Sequence, residues 1–99
     1  MTLKSSYHFT NNAQNDLVDI LRRKRDKWGN HRSKRYLLGL RRTCKFLATK
    51  PNLGKRQKQI GEEVFSFSHI SHEIYFFIKG SKLIIFGIVH KNTIPVGLR

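Results

Sequence analysis

Cysteine occurs once, at Cys44, in a chain of 99 residues. A single thiol excludes an internal disulfide and any zinc site built on several cysteines. Long hydrophobic runs are missing too. The longest, Leu83–Val89, is far too short to span a bilayer, and Met1–Ser6 carries no apolar run of signal-peptide length. These absences lead us to expect a reduced, soluble, cytoplasmic protein that does not enter membranes. Carboxylates are scarce. Six acidic residues face 20 Lys and Arg, which leaves a net charge of +14. Such a surface repels copies of itself and attracts acidic partners. His8, His31, His69, His72 and His90 show no HExxH spacing, and Asp16, Asp19, Glu62 and Glu63 do not cluster with them, so no metal site is expected. Gly54 and Gly61 lack the spacing of a phosphate-binding loop, and basic residues do not alternate with aromatics as they do where bases stack. No cofactor is implied.

What is present is organised around His72–Pro95. Two apolar runs, Ile74–Ile78 and Leu83–Val89, flank Lys79-Gly80-Ser81-Lys82. Both are rich in Ile and Phe, and Gly-Ser is a tight-turn signal, which predicts a β-hairpin. Because both strands are apolar on both faces, the hairpin belongs in a sheet interior. A turn on Gly80-Ser81 sets His72 opposite Val89 or His90, so the two histidines meet at the open end.

Upstream, Tyr7 and Phe9 alternate with polar residues in a short strand over Lys4–Thr10. Asn11 and Asn12 offer N-cap side chains. Ala13, Leu17, Ile20 and Leu21 then recur at helical spacing, and Arg22–Arg25 close that helix, where cations suit the macrodipole. Trp28-Gly29-Asn30 breaks the chain. A second helix over His31–Thr49 carries the stripe Tyr36, Leu37, Leu40, Cys44, Leu47 and Ala48, and Pro51 stops it. The pair should form an antiparallel αα-hairpin. Pro51–Gly61 reads as irregular. Val64–Phe67 reads as a strand and His69-Ile70-Ser71 as a turn. The expected fold is a single α+β domain over 1–99, with the αα-hairpin packed on a small, mainly antiparallel sheet in the order β-α-α-β-β-β.

In that order the motifs resemble a ParE-type toxin of the ParE/RelE superfamily of bacterial toxin–antitoxin systems. Ala13, Asp16-Leu17, Trp28-Gly29, Tyr36 and Leu40 carry the first part of the likeness. Pro51-Asn52-Leu53-Gly54 resembles the family's Pro-x-Leu-Gly turn, and Ser71–Phe76 its Ser-His-x-Ile-aromatic-aromatic strand. Gly87-Ile88-Val89-His90 and Ile94-Pro95 resemble its last strand and exit. Phe77 and Thr93 depart from it, where many members carry Arg and Met. The resemblance implies a protein neutralised by a small cognate antitoxin, here an acidic one to match the charge. It also implies action on DNA gyrase, without enzymatic chemistry of its own. RelE relatives instead cleave mRNA on the ribosome, and fold alone does not choose between the two. A third reading is a degenerate member that only binds its antitoxin.

Each reading nominates residues. A ribonuclease would need a base, an acid and cations for the phosphorane, which His72, His90, Lys55, Arg56 and Lys58 could supply; a structural role for the paired histidines is the simpler alternative. Gyrase contact falls to the tail, through Lys91, Thr93, Ile94, Pro95, Leu98 and Arg99. Pro95 cannot donate to a ladder, and the segment is apolar between two cations. Antitoxin contact falls to Trp28, Arg35, Arg42 and Phe77.

Overall fold

The computed structural model describes residues 6–91. Strand β1 (Ser6–Phe9) leads directly into α1 (Asn11–Trp28), α2 (Asn30–Thr49) follows, and a 3-10 turn at Pro51–Leu53 precedes β2 (Lys55–Arg56), β3 (Phe65–His69), β4 (His72–Lys79) and β5 (Lys82–His90). The expected order holds, with one two-residue strand added inside the segment read as irregular. The sheet order is β1-β5-β4-β3-β2, so the hairpin is central. All pairings are antiparallel except β1 with β5.

Local chemistry sets the element ends. Thr10, not Asn11 or Asn12, caps α1: it is the last extended residue, and its hydroxyl accepts from the Ala13 amide at 3.2 Å. One residue, Gly29, separates the helices. Its φ of 88° lies where side chains are penalised, and its amide closes α1 on the Arg25 carbonyl at 2.8 Å. The β3–β4 loop is Ile70-Ser71, shorter than expected, because His69 remains paired with His72. Ile70 and Gly80 head the two hairpin loops with φ of 53° and 63°. Ile70 is β-branched and exposed, so this conformation is strained.

Both registers expected for the central hairpin occur in it. His72 faces His90 and Tyr75 faces Gly87, but a bulge between Tyr75 and Phe76 then sets Phe76 against Ile85. The extra residue, Phe86, sits against Tyr75 and Phe77 on the face away from the helices. The opposite face carries the core: Ile74, Phe76, Leu83, Ile85 and Ile88 meet Ala13, Leu17 and Ile20 of α1 and Tyr36, Leu40, Cys44 and Leu47 of α2. Cys44 is fully buried, and burial pushes its thiol up to about 12, so it packs as a small hydrophobe.

Candidate functional site

The open end of the hairpin gathers a polar cluster under the helix junction. Tyr36 projects from α2 and His72 from β4, and the Tyr36 hydroxyl lies 2.7 Å from His72 Nδ1. Only 5% of His72 is exposed. Burial, then the charges of Lys24, His90 and His69, holds its imidazole down to about 4, so the ring is neutral at pH 7. The His90 ring crosses it at 5.1 Å. His69 lies beside Tyr36 and its Nδ1 meets the Thr43 hydroxyl at 2.9 Å; burial lowers its pKa as well. Trp28 packs edge-on against Tyr36 and carries cations on its ring, with Lys24 Nζ at 4.2 Å and the Arg32 guanidinium at 4.5 Å.

The remaining basic candidates lie elsewhere. Lys55 and Arg56 are on β2, at the far edge of the sheet from β5. Arg56 stacks over Phe65 at 5.4 Å and donates to the Glu62 carbonyl. Lys58 is exposed in the loop beyond. β2 pairs with Phe65 and Ser66, whereas the histidines pair at His69–His72–His90, so one intervening strand separates β2 from His72 and two separate it from His90, with an offset in register as well. The structure does not assemble His72, His90, Lys55, Arg56 and Lys58 around one reacting phosphate.

The antitoxin candidates divide between faces. Arg35 and Arg42 are exposed on α2 and Trp28 is half-buried at the helix junction, while Phe77 is on the opposite face of the sheet with Phe86. The sequence reading missed a groove of about 470 Å³ where the two helices meet β1, lined by Phe9, Leu17, Val18, Leu21, Leu37 and Arg41. Val18 is 52% exposed at its edge, and Leu38 on α2 is 54% exposed. Those exposed apolar residues, interrupting otherwise basic faces, were the available signal. Among the described residues one ion pair forms, Arg22–Asp19 at 3.8 Å, and no group of three metal-binding side chains occurs. Lys91 is exposed and its amide donates to the Ser71 carbonyl at 3.1 Å. Thr93, Ile94, Pro95, Leu98 and Arg99 lie outside the described residues. No helix of the described residues is long and apolar enough to cross a membrane.

The fold and surface define a small, strongly basic α+β protein with two helices on one face of a five-stranded sheet. The family model described as ParE toxin of type II toxin–antitoxin system, parDE, matches residues 7–95. The chain belongs to the ParE toxin family. A solved structure described as a chromosomal ParDE TA system from P. aeruginosa has the same fold, with a TM-score of 0.77 and 19% identity over 90% of this chain and 98% of that one. No curated protein matches the chain.

Proposed function

We propose that this toxin inhibits DNA gyrase by binding it, and that a net-acidic antitoxin holds it inactive. The family membership supports the target class. The observation that carries the non-enzymatic reading is the burial of His72, which is 5% exposed and bonded through Nδ1 to the Tyr36 hydroxyl. A general base needs access to the proton it removes, and a buried ring already bonded to a tyrosine lacks it. For the antitoxin, the groove on the helical hairpin offers an apolar floor beside Arg41, on a chain of charge +14. An amphipathic acidic segment would gain affinity from the floor and on-rate from the charge.

The tail carries the toxic contact in this reading. A chain ending at His90 is expected to fold and to bind antitoxin within about tenfold of full length, about 1.4 kcal/mol. It should need at least about tenfold more protein to inhibit supercoiling. Undiminished inhibition would move the active surface to the helices or to the Lys55–Lys58 loop.

A further inference from the structure

A cleft of about 380 Å³ lies between α1 and the second half of β5. Its origin is topological. β1 accompanies β5 only from Lys82 to Ile85, where the Thr10 amide closes the ladder on the Ile85 carbonyl. Beyond Ile85 that flank of β5 faces α1 instead of a strand. One of its amides, Ile88, donates to the Asp16 carboxylate of α1 at 2.9 Å. Val89 and the edge of Ile20 contribute apolar surface to the cleft, the core residue Ile88 lies beneath it, and His72 and His90 line its end.

Charge along the helical wall is graded. Asp16 and Asp19 stand at the N-terminal end, and Arg23, Lys24 and Lys27 follow one to two turns later. Among the described residues none of these three cations has a carboxylate within ion-pair distance, since Asp19 pairs with Arg22. Lys24 instead lies over the Trp28 and Tyr36 rings, at 4.2 and 4.7 Å. Burial, followed by repulsion from Lys27 and Arg32, pushes its ammonium below the usual lysine range. An anion placed here would relieve that repulsion.

We propose that this cleft receives one acidic side chain of a peptide partner, an aspartate or glutamate carried next to an apolar residue. The apolar residue rests on Val89 and the exposed edge of Ile20, and the carboxylate meets Arg23, Lys24 and Lys27. The two carboxylates at the other end disfavour a nucleic-acid backbone, whose phosphates would run past them, and the apolar floor disfavours a fully hydrated anion. The proposal deepens the antitoxin reading and rests on it only for the partner's identity.

Trp28 is the single tryptophan, so its fluorescence reports the cationic end of the cleft. The full-length protein would be titrated with acetyl-Leu-Glu-amide, acetyl-Leu-Gln-amide and inorganic phosphate. A saturable change with the Glu peptide is expected. The Gln peptide should bind at least about tenfold more weakly, and so should the Glu peptide to a chain carrying Arg23→Ala and Lys27→Ala with an unchanged thermal midpoint, a loss typical of a charge-assisted contact. No saturable change, equal binding of the Gln peptide or full binding by the double variant would overturn the proposal. Phosphate binding as tightly as the Glu peptide would also overturn it, in favour of a phosphate site. Neutralisation by an acidic antitoxin is scored separately on the wild-type chain. Its failure would sink the antitoxin reading alone, and failure of the peptide arm with neutralisation intact would sink this inference alone.

Discussion

Gly54→Ala is expected to destabilise the protein by about 2–3 kcal/mol through overpacking. The backbone gives no reason for this. Gly54 has φ −67° and ψ 147°, an ordinary extended conformation, and at such a site alanine usually gains about 0.4–1 kcal/mol by restricting the unfolded chain. Sterics reverse the sign. The added Cβ would collide with Phe76 Cζ and stand 3.0 Å from both Phe76 Cε2 and Phe65 Cβ. Phe76 is fully buried and stacked on Phe65 with ring centroids 5.8 Å apart, so its ring has nowhere to retreat. Phe76→Leu removes the ring edge and is destabilising alone, by leaving a cavity. In the double variant the two defects should partly cancel, with a coupling of at least about 1 kcal/mol in urea unfolding. Simple additivity, or a neutral Gly54→Ala, would show that this close approach is not what keeps the position glycine.

Acid should weaken the fold through its buried histidines. His72 is held from 6.5 down to about 4 in the native state. Between those values the unfolded chain binds a proton that the folded chain refuses, so stability rises with pH through the window and is lost as pH falls. Each pH unit is worth about 1.4 kcal/mol, or about 3 kcal/mol across the window. His69, also lowered by burial, adds in the same direction. Asp16 opposes: burial raises its carboxyl above the ordinary range, so the folded chain holds that proton more tightly and gains on acidification. Urea midpoints measured at pH 7, 5 and 4 should therefore fall steeply, and His72→Gln should flatten the decline while lowering the midpoint at pH 7 through the weakened Tyr36 contact. A wild-type midpoint independent of pH would refute the account of the cluster.

The hairpin and both helical stripes were legible because period and turn chemistry agree there. Gly80-Ser81 fixes the loop, and the residues of Ile74–Ile78 and Leu83–Val89 can face in only two ways. The bulge was not legible, because one extra residue leaves the apolar pattern intact when both faces are apolar: Phe86 reads the same on either side. β2 was missed because two residues carry no period. Its pairing is secured by non-local bonds, such as that from the Gln57 side chain to the Ser66 hydroxyl at 2.8 Å. The proximity of His72 and His90 followed from the turn, but the Tyr36 hydroxyl that holds His72 comes from 36 residues away. Lys24 was hidden in a basic run that reads as a solvated helix end. Helical spacing sets it beside Trp28, but only the fold brings the Tyr36 ring under it. Asp16 offered a clue, as a carboxylate beside the apolar stripe of Ala13, Leu17 and Ile20.

Gyrase and the ribosome are separated most directly by one paired assay. The purified full-length toxin is added to gyrase-driven supercoiling and, at the same concentrations, to ribosomes translating a defined mRNA. Supercoiling should be inhibited, antitoxin should relieve the inhibition, and the mRNA should stay intact. Cleaved mRNA with supercoiling untouched would contradict the gyrase reading.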